Sequence, residues 1–224
     1  MERYSRQIAL AEVGEAGQQK IKGTKVLVVG VGGLGSVVAQ YLVAAGVARV
    51  GIVDGDSVSI SNLHRQILYS EQDVGRPKVE VAVDRLRAMN SEVEVVSYNT
   101  FLTAENGAEI ISDYDIVVDG ADNYAVRAVA ESICAEQNKH FVHGAVEGFV
   151  GQVSVFWSDR THRYSEIFEP NQSSEKGIVG ATAGVVAAAE VSECLKIICG
   201  YGTVLYNRLW RADLRTMNCE IFEL

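Results

Sequence analysis

The sequence predicts an α/β fold: a mostly parallel sheet flanked by helices, with an antiparallel extension near the C-terminus. In the first 140 residues, short apolar runs alternate with stretches of helical periodicity, which is typical of strands joined by crossover helices. A glycine-rich turn connects the first apolar run to the first helix of this pattern. After residue 140, apolar runs follow one another without a helix between them, which favours antiparallel pairing.

Composition bounds the possible functions. The chain has 224 residues, 48% of them hydrophobic, which is enough for a single domain spanning residues 1–224. Its formal net charge of −9 argues against a nucleic-acid partner, because phosphate backbones select basic surfaces. The N-terminus is polar and the apolar runs are too short to span a bilayer, so we expect a cytoplasmic protein without a membrane partner. Zinc and a redox dithiol are not expected, because no C-x-x-C spacing occurs among Cys134, Cys194, Cys199 and Cys219.

The first β-α-β unit carries a nucleotide-binding pattern. Residues 25–30 (KVLVVG) form a β-branched apolar run, residues 36–45 a helical pattern, and residues 48–54 a second strand that ends in Asp54. Residues 30–35 (GVGGLG) satisfy G-x-G-x-x-G, which lets the backbone approach a phosphate at the helix N-terminus. An acid at the end of the second strand can bond ribose hydroxyls. The unit predicts a Rossmann-type nucleotide site and leaves open whether the ligand is a dinucleotide or ATP.

The remaining elements follow from the same periodicities. Pro77 suits the first turn of the helix that follows it, and either Asp122 or Asn123 can cap the helix after residue 122. Residues 158–176 are polar and poorly patterned, which predicts a mobile loop. Helices are predicted over 78–89, 123–137 and 179–198, and strands over 93–98, 114–119, 141–145, 151–157, 205–212 and 219–224.

Charged residues beyond the glycine turn favour ATP over a dinucleotide. An NAD enzyme needs no cationic pair here, whereas a triphosphate under attack benefits from fixed cations at its leaving group, which Arg65 and Lys78 can supply. Asp122 follows an apolar strand, where acids point into the ligand crevice, and one carboxylate with phosphate oxygens suits Mg²⁺. Taken alone, Arg65 and Lys78 would be read as solvated surface charge, and Asp122 as a helix cap or a metal ligand.

Six motifs together carry a family resemblance. In order and spacing, the chain resembles the ThiF/MoeB/HesA family, the bacterial relatives of ubiquitin-activating enzymes, over residues 3–157 and 177–202. The motifs are RYSRQ (3–7), GVGGLG (30–35), DGD (54–56), SNLHRQ (61–66), GRPK (75–78) and DGADN (119–123).

The resemblance implies that the chain adenylates the C-terminal glycine of a small ubiquitin-fold sulfur carrier, with ATP and Mg²⁺, and releases pyrophosphate. It implies catalytic roles for Arg6, Arg65, Lys78 and Asp122; Asp122 would hold Mg²⁺, and Arg6 would reach into the second subunit of a homodimer. It divides the chain into a nucleotide-binding half (about 1–140) and a carrier-binding half (about 141–224), with residues 158–176 lying over the carrier's tail. The nucleotide would be held by Gly32, Gly33, Gly35, Asp54, Asp56, Asn62, Arg65, Gln66 and Lys78.

Two departures from the family pattern refine this expectation. Many members bind structural zinc through two C-x-x-C pairs; residues 164–167 (YSEI) stand at the first pair's position, and the second would fall beyond Leu224, so no zinc is expected. Ser173 stands where ThiF-like members place a cysteine, so we expect adenylation without direct sulfur handling. The compact ending (211–216) resembles short ThiF proteins, which implies a ThiS-type carrier of thiamine thiazole synthesis.

Three alternatives stay open at this point. The carrier could be of the MoaD type, which serves molybdopterin synthesis. An NAD-dependent oxidoreductase would rest on the glycine turn and Asp54 alone, and we find no His or Tyr-Lys pair to nominate for hydride transfer. A non-catalytic scaffold for a ubiquitin-like partner would have a degenerate nucleotide site, which the intact phosphate and metal positions argue against.

Overall fold

One sheet connects the elements of the chain. In residues 2–170 and 177–224, the part that the computed structural model describes, eight strands form a single sheet. The strands are β1 (Lys25–Val29), β2 (Arg49–Val53), β3 (Glu94–Tyr98), β4 (Ile116–Asp119), β5 (His140–Glu147), β6 (Val150–Trp157), β7 (Arg208–Asp213) and β8 (Asn218–Glu223). The helices are α1 (Ser5–Ile8), α2 (Gly14–Gly23), α3 (Gly35–Ala45), α4 (Lys78–Met89), α5 (Ala104–Ser112), α6 (Tyr124–Glu136), α7 (Tyr164–Ile167) and α8 (Gly180–Cys199).

The strand order is β3-β2-β1-β4-β5-β6-β7-β8. The first five strands in this order pair in parallel, and β6, β7 and β8 extend the sheet with antiparallel pairs. The order reverses between β1 and β4, and in such open sheets a ligand crevice forms beyond the carboxyl ends of the strands at this switch point. The predicted α/β fold with a mostly parallel sheet and an antiparallel extension is therefore confirmed.

The central parallel strands β1, β2 and β4 are buried on both faces, as their apolar sequences require. Successive side chains of β1 alternate between two clusters: Val26 and Val28 pack in one, and Leu27 and Val29 in the other. On the first face α8 packs against α3, β5 and β6, while α5 and α6 pack together on the second. Among the described residues, no helix is long and apolar enough to cross a membrane.

Most element boundaries differ from the sequence prediction by one to three residues. Pro77 is the N-cap of α4 and not its first-turn residue, and Asn123, not Asp122, caps α6 by accepting a hydrogen bond from the N–H of Val126 at 3.0 Å. Sequence periodicity missed α1, α2 and α5. In α5 the reason is a glycine inside the helix: Gly107 packs so closely that a Cβ there would lie 2.6 Å from Ile133 Cδ1.

The prediction of a mobile loop over residues 158–176 is wrong for its first part. Ser158–Arg160 form a 3₁₀ turn and Tyr164–Ile167 form α7, in which Tyr164 is buried against Phe156 and Phe168. The apolar positions of this short helix are too few to show helical periodicity in the sequence. Residues 171–176, which include Ser173, lie outside the described part of the chain.

Candidate nucleotide site

The glycine turn after β1 packs directly against the turn after β4. Gly30 has a φ of +86°, and a Cβ on it would lie 2.7 Å from the carbonyl oxygen of Gly120. A Cβ on Gly35 would lie 1.8 Å from the carbonyl oxygen of Gly30, so no larger residue fits where α3 begins. The helix can therefore start at the turn itself, where its free N–H groups and dipole favour an anion.

Asp54, at the end of β2, binds the backbone of the turns around it. Its Oδ2 accepts a hydrogen bond from the N–H of Val31, and its Oδ1 accepts one from the N–H of Asp56, both at 2.8 Å. Burial raises the pKa of this carboxyl, and the nearby Lys78 cation and the two N–H donors oppose the rise. Both oxygens keep lone pairs, so Asp54 can brace the glycine turn and still accept from a ribose hydroxyl.

Lys78, the first residue of α4, is held at the cleft by Asp56. Its Nζ lies 2.9 Å from Asp56 Oδ2, and its backbone N–H donates to the Asp56 carbonyl at 2.9 Å. The lysine side chain is 6% exposed, whereas that of Asp56 is 55% exposed. A buried ammonium with one solvated partner keeps donors available for further anions, because a lysine has three N–H bonds.

The residues of the segment after β2 differ in what they contribute to the site. Arg65 lies over the glycine turn, with its Cγ 3.4 Å from the place of a Cβ on Gly33, and donates to the Ser61 carbonyl at 3.1 Å. Gln66 is buried, and its Oε1 has no hydrogen-bond partner within the described residues. Asn62 instead caps its own 3₁₀ turn by accepting from the N–H of Ser59 at 3.1 Å.

These residues line a cleft with a volume of about 1050 Å³. This volume is at the upper limit of ordinary small-molecule pockets, so the cleft has room for a nucleotide and more. Of the predicted site residues, all of which the structure describes, Asn62, Gly35 and Arg6 do not line it; Gly35 lies beneath the turn. The predicted residues that the fold brings to the cleft are Gly32, Gly33, Asp54, Asp56, Arg65, Gln66, Lys78 and Asp122.

Asp122 is exposed at the cleft and is not needed as a helix cap, because Asn123 has that role. Its Oδ1 accepts from Asn123 Nδ2 at 3.2 Å. The described residues hold no cluster of three or more His, Cys, Asp or Glu side chains that could enclose a metal ion. A single exposed carboxylate beside a phosphate-sized space fits Mg²⁺, which prefers one or two carboxylates together with phosphate oxygens and water.

A buried network beneath the Asp122 turn was missed by the sequence reasoning. Asp119, the last residue of β4, is 1% exposed; its Oδ2 lies 2.9 Å from Arg127 Nε and 2.7 Å from His143 Nδ1. Gln152 Nε2 lies 3.2 Å from the other ring nitrogen of His143. Burial lowers the pKa of His143, so the ring is neutral and donates from Nδ1 to Asp119. The sequence signal that could have indicated Asp119 is its position at the carboxyl end of β4, which matches the position of Asp54 at the carboxyl end of β2.

Beyond the nucleotide end, the cleft continues along the antiparallel strands. Here its walls come from the β5–β6 hairpin, from α7 and from Arg211 of β7. Phe168 and Ile167 supply apolar surface, and Glu169 and Arg211 supply charges of opposite sign.

Arg6 lies away from this cleft. Two neighbours anchor its segment: Tyr4 is buried so close to Gly46 that a Cβ there would lie 2.5 Å from its ring, and Gln7 Nε2 donates to Gln18 Oε1 at 2.8 Å. Arg6 itself is exposed and makes no hydrogen bond or ion pair within the described residues. The segment therefore presents Arg6 to the solvent. The role of Arg6 across subunits stays a prediction.

Fold and cleft define an α/β protein with a glycine turn and helix N-terminus of the kind that binds nucleotides. Residues 4–224 match the ThiF family, and the chain belongs to that family. It is 42% identical over 225 residues to the sulfur carrier protein adenylyltransferase of Thermus thermophilus, covering 95% of this chain and 83% of that protein.

Two further comparisons concern a second relative and a solved structure. The chain is 36% identical over 231 residues to the probable molybdopterin-synthase adenylyltransferase of Porphyra purpurea, covering 99% of this chain and 60% of that longer protein. The crystal structure of selenomethionine PaaA matches with a TM-score of 0.86 at 23% identity, covering 99% of this chain and 72% of that one. The likeness to PaaA concerns the fold.

Proposed function

We propose that this chain binds Mg²⁺ and ATP in the cleft and adenylates the C-terminal glycine of a ubiquitin-like sulfur carrier protein. The observation that carries the proposal is that Lys78, Arg65 and Asp122 line the same cleft as the glycine turn. A dinucleotide needs no such pair of cations, whereas a triphosphate that loses pyrophosphate does. Homologues named adenylyltransferases of sulfur carrier protein and of molybdopterin synthase support it. The chain is accordingly an adenylyltransferase.

The chemistry joins two anions, because the carboxylate of the carrier attacks the α-phosphate of ATP. A bond forms between a carboxylate oxygen and that phosphorus, the bond to the β-phosphate bridging oxygen breaks, and pyrophosphate leaves. Arg65 and Lys78 screen the repulsion and stabilise the departing charge, and the N-terminus of α3 binds phosphate. Asp54 holds the ribose. Asp122 would hold Mg²⁺, which neutralises charge on the phosphates when bound.

The carrier's tail takes the second part of the cleft. We assign the nucleotide to a half of about residues 1–140 and the carrier to a half of about residues 141–224. An extended Gly-Gly end fits between the β5–β6 hairpin and α7, because glycines need no side-chain space there. A ThiS-type carrier of thiamine thiazole synthesis is our first choice, on the short ending of the chain; a MoaD-type carrier is the alternative, supported by the homologue from Porphyra purpurea.

Sulfur delivery belongs to another molecule in this proposal. Cys134 and Cys194 are buried, and burial raises the pKa of both thiols, which keeps them from forming reactive thiolates. None of the cysteines in the described part of the chain lines the cleft. We propose a homodimer in the cytoplasm, where ATP is supplied, in which each Arg6 completes the site of the partner subunit, and we assign no zinc to the chain.

The test is mass spectrometry of ThiS-type and MoaD-type carriers incubated with the chain, ATP and Mg²⁺. We expect an added adenylate on a Gly-Gly terminus, together with carrier-dependent exchange of pyrophosphate into ATP. Lys78→Ala should lower the exchange rate by about 100-fold or more, the cost of removing a transition-state donor. Lys22→Ala is the matched control, because Lys22 pairs with Glu92 at the surface and away from the cleft. Normal exchange in Lys78→Ala, or binding of NAD in place of ATP, would refute the proposal.

A further inference from the structure

Arg127 binds the turn that carries Asp122. Arg127, on α6, donates from Nε to Asp119 Oδ2 at 2.9 Å and from Nη2 to the carbonyl of Ala121 at 2.6 Å. Asp119 also binds this turn, because its Oδ1 accepts a hydrogen bond from the N–H of Ala121 at 3.0 Å. The guanidinium and the carboxylate therefore fix both peptide groups of Ala121, the residue directly before Asp122.

The same arginine also reaches the second part of the cleft. Tyr164, the first residue of α7, has its phenol close enough to the Arg127 guanidinium for the two groups to interact electrostatically. The ring of Tyr164 packs against His143 at 5.1 Å and Phe168 at 4.9 Å, measured between ring centroids. The rings of His143 and Phe168 both line the part of the cleft beyond the nucleotide end. A group that enters beside α7 therefore contacts side chains that touch Arg127 or its partners.

A second ion pair joins the start of α7 to α6, the helix that carries Arg127. Arg163 donates to both carboxylate oxygens of Glu131, at 2.8 and 3.3 Å, and Glu131 stands one helical turn after Arg127 on α6. The Glu131 side chain is 4% exposed. The start of α7 is thus tied to α6 by the Arg163–Glu131 pair, next to Tyr164, and Arg127 on the same helix is bonded to the Asp122 turn.

We propose that Arg127 is a positioning residue that holds the Asp122 turn ready for Mg²⁺ and, through Tyr164, links that turn to the part of the cleft beside α7. This inference rests on the proposed role of Asp122 in the proposed function. A planar guanidinium presents several N–H donors in a fixed fork, which lets one side chain hold a carboxylate and a carbonyl together while its charge lies near the phenol of Tyr164. A turn that is ordered before binding loses less conformational entropy on binding, which tightens the metal–nucleotide complex.

The test measures the dissociation constant of ATP in Mg²⁺ and in EDTA, for the wild type, Arg127→Met, Arg127→Lys and Tyr164→Phe. Arg127→Met should weaken binding by about 10- to 100-fold in Mg²⁺, as loss of an outer metal partner does, and leave binding in EDTA near wild type. Arg127→Lys should restore little, because an ammonium cannot span the Asp119 carboxylate and the Ala121 carbonyl as the guanidinium fork does. Unchanged affinity in EDTA shows that the variant has folded with an intact nucleotide site.

The variant Tyr164→Phe tests the link to α7 separately from the bonds by which Arg127 holds the Asp122 turn. Without a tail peptide, this variant should keep the wild-type dependence on Mg²⁺. A peptide ending in Gly-Gly should tighten binding of Mg²⁺ with α,β-methylene ATP in the wild type, and this tightening should be lost in Tyr164→Phe. Coupling between two sites is reciprocal, so the nucleotide should tighten binding of the peptide by the same factor.

Arg49→Met is the matched control, because Arg49 pairs with Glu94 at 2.8 Å at the first residues of β2 and β3 and does not line the cleft. It should behave as the wild type in both measurements. Arg127→Met with a wild-type ratio between Mg²⁺ and EDTA would overturn the inference, and so would a wild type that binds ATP equally in both. Binding of Mg²⁺ and ATP without adenylation of any carrier would refute the proposed function and leave the inference standing.

Discussion

The carboxylate of Glu190 on α8 lies directly against Gly144 on β5: a Cβ at position 144 would lie 2.4 Å from Glu190 Cδ. Glu190 is completely buried, and neither of its side-chain oxygens has a hydrogen-bond partner within the described residues. Burial raises its pKa well above the ordinary 4.5; the charge of Asp119 adds to the rise and Arg127 opposes it. The carboxyl is therefore neutral in the folded protein over a pH range in which it ionises in the unfolded chain.

Glu190→Gln should change how stability depends on pH. Because the folded-state pKa is raised, the wild type loses stability from this group as pH rises above 4.5, by up to about 1.4 kcal/mol for each pH unit until the folded pKa is reached. A glutamine of nearly the same shape does not ionise. The free energy of unfolding of Glu190→Gln, relative to wild type, should therefore rise between about pH 5 and pH 8. Urea unfolding across that range measures it, and a difference independent of pH would contradict the prediction.

Gly144→Ala should force Glu190 out of its place. We expect a loss of about 1–3 kcal/mol in the free energy of unfolding, the usual cost of an added methyl in a filled core. The loss should shrink in the double variant Gly144→Ala with Glu190→Ala, because the smaller side chain makes room for the methyl. A double-mutant cycle of urea unfolding measures this coupling, and simple additivity would show that the two residues do not compete for the same space.

Gly35→Ala should abolish nucleotide binding, because its Cβ would lie 1.8 Å from the carbonyl oxygen of Gly30. Gly184→Ala is the matched control: Gly184 lies inside α8, and a Cβ there would meet nothing within 4 Å. This control should keep ATP binding and gain about 0.5–1 kcal/mol of stability, because alanine favours a helix more than glycine does. Calorimetric titration with ATP and thermal unfolding separate the two results. Equal ATP affinities in both variants would contradict the prediction.

Lys139→Met should destabilise the fold without touching the cleft. The Nζ of Lys139 donates to the carbonyls of Ile111 at 2.9 Å, Ser112 at 2.6 Å and Tyr114, which lie at and just beyond the end of α5. Loss of these bonds should lower the free energy of unfolding by about 1–3 kcal/mol, because charge-assisted bonds are stronger than neutral ones. Lys20→Met, which removes one exposed bond of 3.3 Å to the carbonyl of Cys199, should change it by less than about 0.5 kcal/mol. Urea unfolding of both variants measures the difference, and equal losses would contradict it.

Much of the fold could be predicted because its causes are local. The apolar runs of β1 and β2, the glycines between them and Asp54 lie within one unit of about 30 residues, and their spacing alone indicates a parallel pair with a phosphate-binding turn. The elements that periodicity missed depend on contacts from elsewhere. Helix α5 tolerates Gly107 because Ile133 packs against it, and α7 is held by Arg163 and by the burial of Tyr164.

For the candidate site, the sequence by itself determined which residue types follow each strand: the glycine turn, Asp54, the cations and Asp122. Only the tertiary structure decided how those side chains are used. It turns Asn62 back onto its own 3₁₀ turn and makes Asn123 the cap of α6. It also brings Arg127 and His143, from two other elements, to the carboxylate of Asp119. The physical reason is range: turn and strand preferences act between neighbours in the chain, whereas burial and charge pairing depend on which elements the sheet brings together.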